Sequence, residues 1–170
     1  MRPVKASSRN PFTVRPMARA DVPEVHAMLR ELAEFENLTA IFEVSTADLE
    51  RNFFGERPLA EALVAAAADG GLVGYAMFFP TYSSFLGRAG IWLEDLYVRP
   101  DWRGAGVGRN LLARVVGLAR ERDCGRCEWC VLDWNRRAID FYRRSGGQIL
   151  DEWRIVRLDR GAIDRLADGG

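Results

Sequence analysis

Histidine is nearly absent from this chain: His26 is the single one in 170 residues. Any Ser-His or Cys-His nucleophile would have to use it. It lies in "DVPEVHAMLRELAEF", where Val25, Met28, Leu29, Leu32 and Phe35 recur as an apolar helical stripe. His26 falls off that stripe and is expected in solvent, which argues against a histidine-dependent hydrolase. Cysteine is scarce too, with Cys124, Cys127 and Cys130 all inside "CGRCEWCVL". The spacing suggests zinc or cluster ligands. However, "RCEWCVLD" reads as a strand, where residues three apart point to opposite faces and cannot grip one ion. No metal is expected, and reduced, partly buried thiols fit an intracellular chain. No apolar run is long enough to span a membrane. The start, "MRPVKASSRNP", is basic with no hydrophobic stretch behind it, so it does not read as a secretory signal. Net charge is missing as well, since Lys+Arg and Asp+Glu are 24 each, which speaks against a nucleic-acid backbone as partner. The expectation is a cytoplasmic protein with neither membrane nor nucleic acid as partner.

What is present fits one domain with a sizeable core: 48% of residues are hydrophobic and 28% charged. "FTVRPM" alternates as a first strand. Asp21 then reads as a helix cap, with Glu24 three residues on and Pro23 in the first turn, opening a helix to about Glu36. A second helix is predicted from Thr46 to near Gly55. "LAEALVAAAA" and "GLVGYAMFFP" flank Asp69-Gly70-Gly71 as a hairpin. The strand "AGIWLEDLYV" follows. Next comes a helix with Val107, Leu111, Val115 and Leu118 on one face, then the strand "RCEWCVLD". A short helix "NRRAIDFYRRSG" ended by Gly146 and Gly147, and a closing strand around "EWRIVRLD", complete the chain. Hairpins first and crossover helices later predict an α/β (α+β mixed) domain, with helices flanking a mixed, mostly antiparallel sheet. Residues 1–11 read as a flexible tail, 12–166 as the domain and 167–170 as a frayed end.

The segment "LEDLYVRPDWRGAGVGRNLL" carries the chemistry. A strand holding two acids leads to a glycine-rich loop, and a helix starts directly after it. Glycines let backbone approach a ligand, and the free N–H groups at a helix start make an anion site. A Walker loop is excluded because no Gly-Lys-Ser/Thr follows. Gly104, Gly106 and Gly108 do not have the spacing of a dinucleotide fingerprint. From these residues alone, the loop is either an anion cradle or a plain turn.

Arg103-x-x-Gly106-x-Gly108, between strand and helix, resembles motif A of the GNAT superfamily of acyl-CoA N-acyltransferases. "LDWNRRAIDFYRRSGG" resembles its motif B, and "VRPMARADVPEVHAML" its N-terminal opening. The likeness covers roughly Phe12 to Asp159. It implies a domain whose strands splay at the acetyl-CoA site. The loop Arg103, Gly104, Ala105, Gly106, Val107, Gly108 and Arg109 would hold the pyrophosphate, and the strand at Leu96, Tyr97 and Val98 would face the pantetheine amides. Asn135 would lie against the pantetheine arm and Tyr142 near the thioester sulfur. "ELAEFE", "FGERPL", "WLEDLYV", "LDWNRRAIDFY" and "DEWR" are together similar to the diamine acetyltransferases, which include spermidine/spermine and thialysine enzymes. That likeness implies a small-molecule amine acceptor and a homodimer. It places Glu36, Asp95, Asp151 and Trp153 around the acceptor. At "TYSSF", Ser83 and Phe85 stand where polyamine enzymes carry Asp and Trp, so the stretch is more similar to the thialysine branch.

An amine attacks a thioester only as the free base, so a base must take its proton, and the departing thiolate benefits from an acid. Glu94 and Asp95 sit among Trp92, Leu93, Leu96 and Tyr97, where desolvation raises a carboxyl's pKa toward a useful range. Adjacent strand residues face opposite ways unless a bulge re-aims them. The resemblance makes Glu94 the base, acting through water, and Tyr142 the acid. Read without it, the two acids could equally pair with arginines, and Tyr142 could be core packing beside Ile139. A different GNAT acceptor (a polyamine, a protein N-terminus or an aminoglycoside) and a non-catalytic CoA-binding module are the competing readings.

Overall fold

The computed structural model describes residues 11–169, so the tail expected over 1–11 falls almost wholly outside the described residues, as does Gly170. The described chain forms two compact units, one ending at Cys130 and the other beginning at Val131.

The first unit is built on a five-stranded sheet in the order β1-β2-β3-β4-β5: β1 Phe12–Pro16, β2 Glu61–Ala67, β3 Leu72–Ser83, β4 Arg88–Val98 and β5 Arg126–Glu128. The first four strands run antiparallel, and β5 pairs parallel to β4 after a crossover through α3, Val107–Glu121. The β2–β3 turn is the predicted one: Gly70 takes φ +92°, and the Gly71 amide donates to Asp69 Oδ1 at 3.1 Å. Period-2 alternation sends Tyr75, Met77 and Tyr97 to one face, where they join Val22, Val25 and Met28 of α1 (Val22–Phe35) and Leu49 of α2 (Thr46–Phe54) in the core. The other face carries α3, whose Val107, Leu111 and Val115 are buried as the four-residue spacing predicts. Gly74 is required there, because a Cβ would stand 2.7 Å from the Tyr97 carbonyl oxygen and 3.2 Å from a Val107 methyl.

Several local expectations need correction. Asp21 and Glu24 do not make a capping box. Asp21 instead accepts from Arg15 and the Ala18 amide, while Glu24 accepts from the Leu72 amide and Arg99. A capping box does open α2, where the Ser45 hydroxyl and Asp48 carboxylate satisfy each other's backbone amides. His26 is half-buried rather than solvated, with Nε2 2.8 Å from the Val44 carbonyl oxygen. The strand expected over "RCEWCVLD" stops at Glu128. Cys127 is therefore in the strand, whereas Cys124 and Cys130 are outside it.

The second unit contains α4, Arg136–Arg144, and α5, Arg160–Ala167. Gly147 and Gly146 close α4 as expected, donating to the carbonyls of Tyr142 and Arg143. The closing strand predicted over "EWRIVRLD" does not form, and the stretch carries Trp153, Ile155, Val156 and Leu158 exposed. The helix α5 has no counterpart in the expectations from sequence. Its start is set by Asp159, whose carboxylate accepts from the Ala162 amide at 2.7 Å.

Candidate active site

The decisive local feature of the first unit is a bulge in β4. Met77 of β3 pairs with Asp95, and the next β3 residue, Phe78, pairs with Leu93, so Glu94 is the extra residue. The bulge sends Asp95 to the α1 face and Leu93 to the α3 face. Glu94 is exposed and accepts from Trp92 Nε1 at 2.9 Å. Asp95 is partly buried, and its pKa is pushed up to about 7, first by desolvation and then by the charges of Glu94 and Glu36. The desolvation anticipated for the acid pair therefore falls on Asp95. Glu36 caps the C-terminus of α1, and burial raises its pKa too.

The bulge also explains why β5 is short. A bulge bends its strand, and β4 pairs with β5 only over Gly90–Trp92, just before it. Beyond Trp92, the outer edge of β4 has no ladder partner among the described residues. The amide of Arg99 donates to Val73 on β3. Antiparallel alternation then turns the backbone groups of Tyr97 toward β3 and those of Leu96 and Val98 to the outer edge. Of the three strand residues expected at a cofactor, Leu96 and the Val98 amide face the open edge, the Val98 carbonyl is taken by Arg103 Nε, and Tyr97 faces β3. Tyr97 donates its hydroxyl to Glu31 at 2.9 Å.

The glycine loop follows at once. Gly104 and Gly106 adopt φ +89° and +92°, the left-handed region that favours glycine. Gly106 is the N-cap of α3 and brings no side chain to cap it. The amides of Val107, Gly108 and Arg109 have no intrahelical acceptor by construction of a helix start, so an anion is their natural partner. The amides of Arg103 and Ala105 are spent inside the loop, on the carbonyls of Pro100 and Trp102. The Arg103 guanidinium is turned away from an anion-contact role: Nε donates to the Val98 carbonyl at 2.9 Å, and the group lies over the rings of Phe35 and Tyr97. Its work here is to tie the end of α1 to the end of β4. The loop and the β4 edge thus fit a cofactor with a pyrophosphate and an amide-bearing arm.

In the second unit, Asn135 caps α4, its Oδ1 accepting from the Ala138 amide at 3.2 Å. Tyr142 is buried on α4 on the same side as Ile139, its ring centroid 5.2 Å from that of Phe141. Asp151 and Trp153 are exposed, and the Asp151 carbonyl accepts from Arg154. Among the described residues, no group of three or more His, Cys, Asp or Glu side chains is placed to hold a metal ion.

The match to the model of the acetyltransferase (GNAT) family runs over residues 25–147, from the first helix through the loop to the end of α4. The chain belongs to this family. It is an acetyltransferase by that membership. It is 36% identical to a thialysine N-epsilon-acetyltransferase from Bos taurus, over 91% of this chain and 96% of the relative. It is 29% identical to an L-ornithine N5-acetyltransferase from Arabidopsis thaliana, over 90% of this chain and 86% of the relative. Among solved structures, an integron cassette protein from the mobile metagenome of V. cholerae superposes with a TM-score of 0.77 at 20% identity. That superposition covers 93% of this chain and 98% of the other, a likeness of fold.

Sequence reasoning found the acids and the loop but missed Tyr75, whose fully covered hydroxyl has no hydrogen-bond partner among the described residues. Within the apolar run "GLVGYAMFF" nothing marks it beyond being the one aromatic with a polar tip.

Proposed function

We propose that this protein transfers acetyl from acetyl-CoA directly to a primary amine of a small lysine-like or diamine acceptor, thialysine being the first to test. The observation that carries the proposal is the β4 bulge. It sets an exposed carboxylate, Glu94, next to a partly buried one, Asp95, on a strand that runs straight into an uncapped helix start. The relatives' activities, on amines of thialysine and ornithine, support the acceptor class.

The residues divide the work by position. The amides at Gly106–Arg109 would bind the pyrophosphate, and the edge groups of Leu96 with the amide of Val98 the pantetheine amides. Gly104 and Ala105 shape the loop's approach. Acetyl-CoA supplies the activated thioester. Glu94, wet and pointing outward, takes the proton of the acceptor ammonium through water. Asp95 and Glu36 hold the cation. Tyr142 donates a proton to the leaving sulfur, and Asn135, by capping α4, fixes the helix that carries it. The family match crosses from the first unit into the second, which supports treating 12–166 as one acetyltransferase domain. A homodimer and a cytoplasmic location belong to the same proposal. No described helix is long and apolar enough to cross a membrane.

The test has two arms. Mass spectrometry of the purified protein looks for bound CoA, and a thiol-release assay measures kcat/KM for thialysine, lysine, ornithine, putrescine, spermidine and spermine. The short acceptors are expected to lead. Ser83 ends β3 buried, its Oγ accepting from the Leu86 amide, and Phe85 is 97% exposed, so the hairpin tip offers no carboxylate to a long polycation. A tenfold preference for spermidine or spermine (about 1.4 kcal/mol) overturns the acceptor assignment.

A further inference from the structure

The face of the sheet covered by α1 is apolar except for a cluster of oxygens and, at its margin, the guanidiniums of Arg99, paired with Glu24 and Glu31, and of Arg103, over Phe35 and Tyr97. The ladder pairs Tyr75 with Tyr97 and Met77 with Asp95, so Tyr75 and Asp95 are diagonal neighbours on one face, within reach of each other's side chains. The rings of Tyr75 and Tyr97 lie 6.0 Å apart. Glu31 and Glu36 approach from α1. Glu31 is already engaged, accepting from the Tyr97 hydroxyl and pairing with Arg99 Nε at 3.3 Å. The Asp95 and Glu36 carboxylates have no ion pair or side-chain hydrogen bond among the described residues, and the Tyr75 hydroxyl is buried with none either. Burial first, and then the field of Asp95, Glu36 and Glu31, raises the Tyr75 phenol well above its ordinary pKa, as expected of groups that face one another.

Two unpaired carboxylates and a buried, unpartnered hydroxyl from three different elements are costly to collect unless something completes them. Negative charge calls for a cation, and the number of oxygens says which kind. A primary ammonium carries three N–H donors and no acceptor. We propose that Tyr75, Asp95 and Glu36 form a primary-ammonium subsite, in which the Tyr75 hydroxyl sets the preference for an amine bearing three N–H bonds. The two carboxylates supply the charge. The phenol supplies the third, neutral acceptor and donates its own hydrogen bond to Asp95. An N-methylated ammonium brings the same charge but leaves a buried oxygen unpaired, and a site built to hydrogen-bond a group discriminates strongly against an analogue lacking it. The inference deepens the proposed amine-acceptor reading and rests on it for its place in catalysis, though the binding it asserts is measurable without turnover.

The experiment uses the full chain, with aspartate labelled at the carboxyl carbon, titrated with n-butylammonium and with N,N,N-trimethylbutylammonium while the Asp95 resonance is followed. The parent is expected to bind the primary amine at least tenfold more tightly. Tyr75→Phe should cut that ratio at least fivefold without lowering Tm, since it removes a hydroxyl that no protein group pairs. Asp95→Asn, which lacks the reporter and is titrated by calorimetry instead, should weaken both ligands. Equal affinity of the parent for the two amines, no binding of either, or a Tyr75→Phe ratio equal to the parent's overturns the subsite. So does a Tm several degrees below the parent's, because the hydroxyl would then have an internal partner. If the parent discriminates as expected and Tyr75→Phe does not, yet no amine is acetylated, the subsite stands and the proposed reaction falls.

Discussion

Glu94 and Asp95 are consecutive, yet one lies exposed at a bulge while the other is turned onto the α1 face opposite Met77. A regular strand would also have separated them, but it would have kept Asp95 on the same face as Leu93. The bulge breaks that alternation and brings a carboxylate to the side where Tyr75, Glu36 and Tyr97 stand.

Asp95 should make the protein less stable as pH rises. Its pKa goes from 3.8 to about 7 on folding. Between those values the folded state holds a proton that the unfolded chain has released, so stability falls as pH rises through the window. Asp95→Asn should match the parent near pH 4 and exceed it at pH 8 by on the order of 2–4 kcal/mol, since a tenfold change in proton affinity is worth about 1.4 kcal/mol. Urea unfolding at the two pH values measures this, and a constant difference between the proteins would contradict it.

Glu94→Gln should abolish the acidic limb of the pH profile of kcat/KM, because that limb reports the base of the free enzyme. The comparison with Asp95→Asn is decisive. If Asp95→Asn removes the limb and Glu94→Gln leaves it intact, the proton goes to Asp95 instead.

Gly106→Val should weaken acetyl-CoA binding at least tenfold by calorimetry. The nearest atom to an added Cβ, Asn110 Nδ2, is 3.7 Å away, so crowding by the protein is not the cause. A β-branched residue at φ +92° must instead shift the backbone that aims the α3 amides, at about 1–2 kcal/mol of strain. A folded mutant with parental affinity would return the loop to being a plain turn.

Tyr142→Phe should lower kcat by about 10²–10⁴, the worth of a positioned acid, and leave acetyl-CoA affinity nearly unchanged. A near-normal kcat with reduced thermal stability would make Tyr142 a packing residue beside Ile139.

The meander and α3 were legible because their patterns are local: the alternation of β1, the apolar runs of β2 and β3 on either side of the Asp69-Gly70-Gly71 turn, and the four-residue spacing of Val107, Leu111 and Val115. The failures have tertiary causes. "RCEWCVLD" has strand chemistry throughout, but a strand lasts only while its neighbour stays alongside, and its pairing with β4 ends at Trp92, just before the bulge. "EWRIVRLD" found no ladder among the described residues. Asp21 and Glu24 have capping-box spacing, but Arg15, the Leu72 amide and Arg99 claim their carboxylates. In the candidate site, residue types and order were readable, and orientation was not. No sequence pattern says that Arg103 turns toward Phe35 and Tyr97, or that Tyr75 buries its hydroxyl.

The β4 bulge bears on aggregation as well. Among the described residues, the peptide groups on the outer edge of β4 between Trp92 and Val98 have no ladder partner, and such an edge is a template on which another chain could add a strand. Twisting the edge and placing a charge on it are the two usual defences. Residue 94 supplies both: the extra residue spoils the register that an intruding strand would need, and its carboxylate sits where such a strand would start.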